Sequence, residues 1–194
     1  MKIVREYKNY EDYVAHQKEK TLDPIRREKW LNNEWDKKVQ MFTELFKRRI
    51  NVLSNRKKAI CLCARTGQEV VAMNSLGIEA VGVDLVPCDP WVIEGDIHNL
   101  GFKDGEFDLA FCNSFDHSLY PDKMLSEMQR VLCVGGYGIL HLQLLENVDQ
   151  YAENIVTNAS QVIEYLHNSE IVVSESLRGV PFATYHWEVI FKKC

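Results

Sequence analysis

From Lys58 onward, short apolar runs alternate with segments of helical periodicity, and this alternation constrains the fold more than any other feature of the chain. Ala59–Cys63 (AICLC), Ala80–Leu85 (AVGVDL), Trp91–Glu94, Phe107–Cys112 (FDLAFC) and Tyr137–Leu142 (YGILHL) read as strands. Between them lie a helix over Thr66–Leu76 ended by Gly77 and a helix over Pro121–Leu132 with proline in its first turn. Runs with no polar alternation need cover on both faces, and strands separated by helices need crossovers. The expectation is an α/β domain around a mainly parallel sheet. A helix around Asp149–His167 should precede two last strands, Ile171–Ser176 and Thr184–Phe191, the second bounded by a turn at Pro181.

Residues 1–57 have a different texture and form the one candidate appendage, an N-terminal helical lid or extension before a domain at 58–194. Asn9 can cap a helix running to about Lys20, and Asp23-Pro24 supplies a cap and a first-turn proline for a second one. In that second segment Leu31, Trp35, Val39, Phe42, Leu45, Phe46 and Ile50 recur at three- and four-residue steps, a single apolar stripe that Asn32-Asn33 can interrupt. Tyr10, Tyr13, His16 and Gln17 share a face of the first helix. Packing against the domain explains them.

The chain has 194 residues, 46% apolar and 26% charged, which suits one globular unit with an appendage. No apolar run approaches the roughly 18 residues of a membrane span, and the start MKIVREYKNYEDY lacks a signal-peptide core, so the cytosol is the expected compartment. Six cysteines (Cys61, Cys63, Cys88, Cys112, Cys133 and Cys194) lack metal-site spacing and read as reduced, mostly buried thiols, with no metal expected. Cys61 and Cys63, two apart on one strand, should face the same way. The net charge of −5 hides an asymmetry: fifteen Lys/Arg against nine Asp/Glu through residue 57, eight against nineteen beyond. An anionic partner is one reading, and a solvated helix face docked on an acidic domain is the plainer one.

In an open parallel sheet, ligands bind where strands end, so the residues after each strand carry the chemistry. The first loop, Ala64-Arg65-Thr66-Gly67-Gln68-Glu69, lacks the GxGxxG spacing of a pyrophosphate cradle, which disfavours a dinucleotide. Asp84, 17 residues beyond Gly67, stands where a carboxylate can accept from both hydroxyls of a ribose. Asp96 follows the third strand, where it can accept from an exocyclic adenine amine while Ile97 packs on the ring. Two acceptors without a phosphate cradle point to an adenosine that carries no phosphate.

The series AICLCARTGQEV, AVGVDL, EGDIHNLGFKDGEFDLAFC and EMQRVLCVGGYGIL, over about residues 58–145, resembles the successive motifs of the class I S-adenosylmethionine-dependent methyltransferases. The resemblance implies a Rossmann-like seven-stranded sheet with a reversed last strand, helices on both faces, and S-adenosylmethionine across the ends of the first strands, leaving as S-adenosylhomocysteine. Ile171–Ser176 and Thr184–Phe191 would be the antiparallel pair. Carried over, the first-loop motif falls on Cys63, Ala64, Arg65, Thr66 and Gly67, whose backbone would meet the methionine half of the cofactor. Asp84, with Leu85 beside it, would take the ribose, and Asp96 and Ile97 the adenine. Asn113 would contact the cofactor's amino group or the acceptor, and the short helices before the first strand would close over the cofactor as a lid, with Tyr13 and Gln17, one turn apart, as the contacting pair. The departure is in the glycine loop, where Ala64 and Thr66 stand in place of small glycines. Arg65 would then pair with the methionine carboxylate or with Glu69.

The polar stretch from Asn113 to Tyr120 sits where the family binds its methyl acceptor. His117, oriented by Asp116, has a suitable pKa for a base, whereas Asp116 and Ser118 could equally cap the loop before the helix at Pro121. His141 could face the same mouth, though a satisfied core histidine is the simpler reading. The expected function is methyl transfer to an oxygen or nitrogen of a small molecule, since the length leaves no room for a separate macromolecule-binding domain. The alternatives are a nucleic-acid methyltransferase using the basic amino-terminal segment, and a non-catalytic S-adenosylmethionine-binding or regulatory protein.

Overall fold

The computed structural model of the protein describes residues 1–144 and 150–194. Seven strands form one sheet: β1 (Lys58–Leu62), β2 (Glu79–Asp84), β3 (Val92–Glu94), β4 (Phe107–Cys112), β5 (Leu132–Leu142), β6 (Ser169–Ser176) and β7 (Trp187–Lys193). Their spatial order is β3-β2-β1-β4-β5-β7-β6. The first five run parallel, with Ile60 level with Val81 on one side and Ala110 on the other. β7 is antiparallel to both β5 and β6, which makes it the reversed strand. Four longer helices surround the sheet: α1 (Tyr10–Leu22), α2 (Trp35–Lys47), α3 (Gln68–Ser75) and α4 (Pro121–Val131).

The sheet is buried on both faces because its strands send apolar groups both ways. Along β1, Ile60 and Leu62 join Phe107, Ala110, Met124, Met128 and Phe191 under α4. Ala59 and Cys61, pointing oppositely, join Leu109, Phe111, Phe46 and Met73 under α2 and α3. The α2 stripe buries Met41, Phe42, Leu45 and Phe46, with the Phe46 ring edge-on to Phe111 at 5.0 Å. Ile50, read as part of that stripe, lies beyond the helix end and is 55% exposed. The interruption at Asn32-Asn33 is a wide turn over Lys29–Asn33 that separates a short helix, Pro24–Glu28, from α2.

Both amino-terminal caps form: Asn9 accepts from the Asp12 N–H at 2.9 Å and Asp23 from the Arg26 N–H at 2.9 Å. α1 runs two residues past Lys20. α3 begins at Gln68 rather than Thr66, because residues 63–67 are spent on a tight loop. The expected helix around Asp149–His167 does not form among the described residues, and Asp149 itself lies outside them. Asn154–Ile155 instead pairs antiparallel with Lys2–Ile3, and only Ser160–Ile163 is helical. Side-chain and backbone bonds hold that segment extended: the Asn154 amide donates to the carbonyls of Phe115 and Ser118, and the Glu153 N–H donates to that of Asp116. The last strand starts at Trp187, three residues later than Thr184, since the preceding residues form a loop that aims Tyr185 at the strand ends. Among the described residues, no helix is long and apolar enough to cross a membrane.

Candidate active site

The loop after β1 turns on three left-handed residues, Cys63 (φ +56°), Arg65 (φ +50°) and Gly67 (φ +89°). The departure expected at Ala64 and Thr66 therefore falls one residue away from each. Ala64 and Thr66 point into the protein and are buried, with the Thr66 hydroxyl donating to the Gln68 side chain at 2.8 Å. Cys63 and Arg65 hold the conformation that costs an L residue about 1–2 kcal/mol. Gly67 is required sterically, because a Cβ there would lie 2.6 Å from that of Trp91. The turn also separates the two cysteines. Cys61 lies in the core, whereas Cys63, past the strand end, lines the recess above the sheet, so the shared face expected for the pair is not formed.

That recess, about 550 Å³ with its open mouth, gathers most of the expected ligand-binding residues: Cys63, Arg65, Asp84, Leu85, Asp96 and Ile97 from the strand ends, Tyr13 and Gln17 from α1. Asp84 is fixed by backbone donors, one per oxygen: the Arg65 N–H at 2.9 Å and the Val86 N–H at 3.1 Å. Each oxygen keeps a further lone pair for a ligand hydroxyl. Burial pushes the Asp84 carboxyl above its usual range, against the pull of those two N–H groups and the Arg65 charge.

Asp96 belongs to a network that sequence reasoning left out. It accepts from the Tyr10 hydroxyl at 2.7 Å and the His98 N–H at 2.8 Å, with the His98 ring Nδ1 at 3.1 Å. The Tyr120 N–H donates to His98 Nε2 at 3.2 Å, so that nitrogen is bare and Nδ1 carries the proton toward Asp96 and Tyr10. Burial alone would raise the Asp96 carboxyl; the hydrogen bonds from His98 and Tyr10 outweigh it and hold the group at about 2. The signal for His98 was its place two residues after Asp96.

Helix α1 closes one wall. Tyr13 is buried and donates its hydroxyl to the His117 carbonyl at 3.1 Å. The Gln17 amide donates to the Tyr151 carbonyl at 2.9 Å and to Glu153 Oε1 at 2.6 Å, so both its protons are used within the protein. Lys20 and Thr21, one turn further along, also line the recess.

His117 reaches the same wall, but Asp116 does not orient it. The Asp116 carboxylate is 3.9 Å from Nε2, beyond hydrogen-bonding reach. The orienting group is the Tyr151 carbonyl, 2.7 Å from Nδ1, and the Lys20 ammonium sits 3.0 Å from Nε2. A carbonyl can only accept and an ammonium only donate, so Nδ1 carries the proton and Nε2 is bare. Burial, with the Lys20 charge, keeps the imidazole below its usual range despite Asp116.

A second recess adjoins the first across Cys63, Arg65 and Ser114. Its walls bring in Trp30, Lys38, Phe42, Glu69, Asn113 and Tyr185. Asn113, expected beside the cofactor amino group, lies here, accepting from the Ser114 hydroxyl at 2.9 Å. Ala64 and Thr66 border this recess, while Gly67 borders neither and packs against Trp91. The Arg65 guanidinium stacks 4.2 Å from the centre of the Trp30 ring, so the expected pair with Glu69 is not made. His141 lines neither recess but backs the second, its ring 5.4 Å from that of Tyr185, and its Nε2 is 3.0 Å from Glu188, which also holds Arg49 in a buried ion pair.

Residues 60–140 match the family model described as "Methyltransferase domain". No curated protein sequence matches the chain. Among solved structures, the chain is similar to the Burkholderia thailandensis 1,6-didemethyltoxoflavin-N1-methyltransferase, determined with 1,6-didemethyltoxoflavin and S-adenosylhomocysteine bound. Identity there is 14%, coverage 100% of this chain and 94% of that one, and the TM-score 0.72. It is also similar to an Archaeoglobus fulgidus S-adenosylmethionine-dependent methyltransferase (15% identity, 80% and 94% covered, TM-score 0.63) and to the glycopeptide N-methyltransferase MtfA (12%, 79% and 90%, TM-score 0.61).

Proposed function

We propose that the chain is a class I S-adenosylmethionine-dependent methyltransferase that methylates an oxygen or nitrogen of a small-molecule acceptor in the cytosol, a reading supported by the methyltransferase-domain match over 60–140 and by the shared fold. The observation that carries this reading is Asp84, a carboxylate anchored by two backbone N–H groups with lone pairs left over at the floor of the strand-end recess. Such a group suits a vicinal diol, and no phosphate cradle accompanies it. Asp96 and Ile97 then border the adenine, and the backbone from Cys63 to Arg65 follows the chain leading to the sulfur. The cofactor supplies a methyl group already activated on a sulfonium.

The protein's share of the work is alignment and exclusion of water. Tyr13 and Gln17 wall the recess from α1, and His117, braced by the Tyr151 carbonyl, aims a bare Nε2 toward the acceptor side. That nitrogen takes the acceptor's proton once the acceptor displaces Lys20 from it. A small acceptor is favoured over nucleic acid by where the amino-terminal cations go. Arg49 is tied to Glu175 and Glu188, Arg48 to Glu175 and Lys18 to Glu94, so these charges serve docking on the acidic domain. Two structural neighbours are named as methyltransferases of 1,6-didemethyltoxoflavin and of a glycopeptide, which supports an acceptor other than nucleic acid.

The test is incubation with methyl-labelled S-adenosylmethionine and, in parallel, a small-molecule extract or total RNA and DNA. Label in the small-molecule fraction, lost in Asp84→Ala, is the expected result. Label confined to nucleic acid would move the assignment to the other class of acceptor.

A further inference from the structure

Glu153 is fully buried and lines neither recess. Its Oε1 accepts from the Tyr7 hydroxyl at 2.7 Å and from the Gln17 amide at 2.6 Å, whereas Oε2, equally buried, meets no partner among the described residues. A carboxylate is a costly group to hold in a dry place, and half of this one is unsatisfied. Packing alone would select an apolar residue there.

The Gln17 amide places its second proton on the Tyr151 carbonyl, 2.9 Å away, and the same carbonyl accepts the His117 Nδ1 proton at 2.7 Å. One relay thus runs from Glu153 Oε1 through Gln17 and the Tyr151 carbonyl to the imidazole. We infer that Glu153 is a positioning residue for His117, its relay tying alignment of the ring to the docking of α1. The inference rests on the reading of His117 as the base and deepens it. The Glu153 N–H and the Asn154 amide bolt their own residues to the carbonyls of 115–118, but the Tyr151 carbonyl stands earlier, at a turn where Gln17 reaches it. Two donors on one carbonyl use both its lone pairs and fix the plane in which the ring must lie. Helix α1 therefore acts on both ring nitrogens: Gln17 on Nδ1 through the carbonyl, and Lys20, one turn further along, on Nε2 at 3.0 Å.

The carboxylate is anchored on its far side as well. It only accepts, so the Tyr7 hydroxyl spends its proton on Glu153 and itself accepts from His16 Nδ1 at 2.6 Å. The Val4 N–H donates to the Glu153 carbonyl at 2.9 Å. Glu153 thereby joins the amino-terminal segment, α1 and the chain that carries Tyr151. The ring at the end of the relay is faced by Lys20 from α1, by Arg65 and Asp84 from the strand ends and by Asp116 beside it. Burial and the Lys20 charge hold it below its usual range against the pull of Asp116, and α1 contributes to both.

Ring-nitrogen NMR shifts of the full chain, followed through pH, test this without any acceptor. In wild type His117 should show one tautomer, protonated at Nδ1, with a midpoint below 6.5. Glu153→Leu, similar in size but without the acceptor, should mix the two tautomers and move the midpoint up toward 6.5. Tyr7→Phe removes the other donor to the same oxygen and spares the relay, so it should keep the wild-type pattern and separate positioning from general loosening of the amino terminus. In case Glu153→Leu does not fold, Gln17→Met breaks the relay one bond nearer the ring and should give the same two changes. A wild-type tautomer and midpoint in either folded variant, or the same changes in Tyr7→Phe, would overturn the inference. The base reading fails separately, by full transfer of labelled methyl groups in His117→Ala, a result these spectra do not depend on.

Discussion

The Lys20 ammonium lies 3.0 Å from Nε2 of His117, so the ring nitrogen that a base would use is already engaged from helix α1. The opposite nitrogen is bound to the Tyr151 carbonyl, which fixes the tautomer. Covering the site and holding the imidazole neutral are thus one contact. Lys20→Met should raise the His117 pKa without bringing it to 6.5, since burial, and not the lysine, is the larger cause of its depression. Ring-nitrogen shifts followed through a pH titration measure this, and an unchanged midpoint would show that Lys20 does not act on the ring.

The same depressed pKa sets a stability slope. Below about 6.5 the unfolded chain protonates His117 while the folded protein resists, so the unfolded state binds more protons and stability falls as pH drops through that range. His117→Gln should flatten this part of the profile in urea melts at successive pH values.

As a base acting on the acceptor, His117 should matter to turnover and little to cofactor affinity. His117→Ala should lower kcat about 10²–10⁴-fold with S-adenosylhomocysteine binding nearly intact. A wild-type pH–rate profile with no titration below neutrality would assign the residue to loop shape instead.

Asp96 gives stability of a different range. Its folded value of about 2 lies below the ordinary 3.8, so its contribution is fully present above about pH 4 and is lost as pH falls toward 2. Tyr10→Phe removes one of the donors that hold it down. The variant should lose stability near neutral pH and lose less than wild type on acidification from pH 4 to 2, read by chemical denaturation.

Helix α1 should behave as a cover whose opening is linked to ligand. It touches the strand-end recess through Tyr13, Gln17, Lys20 and Thr21. Amide hydrogen exchange over 10–22 should slow when S-adenosylhomocysteine is added, because closure over ligand suppresses local opening. Unchanged exchange would reduce the helix to packing.

How much of this was legible in the sequence depended on whether the signal was local. FDLAFC became β4 residue for residue, because a run apolar except for Asp108 at its entry and flanked by turns has one way to be buried. Asp84 was legible as a charged residue closing such a run. The left-handed turns of the loop fall at Cys63, Arg65 and Gly67, not at Ala64 and Thr66, since composition shows which glycines are missing but not which positions turn left-handed. Asp116 was paired with His117 by adjacency, whereas neighbours in a short turn diverge, and the Tyr151 carbonyl that orients the ring has no side-chain signature. Glu69 in GQEV reads as a first-turn acid complementing a helix dipole. Only the convergence of α2, the strand-end loop and the loop before β7 shows it enclosed with Lys38 and Tyr185.

The central claim is an adenosine-bearing cofactor held by Asp84, and calorimetry on wild type and Asp84→Ala with S-adenosylhomocysteine tests it most directly. Wild type should bind one equivalent, and the variant should lose on the order of 2–4 kcal/mol by giving up two charge-assisted hydrogen bonds. No heat with S-adenosylhomocysteine or S-adenosylmethionine, alongside tight binding of NAD, would contradict the account.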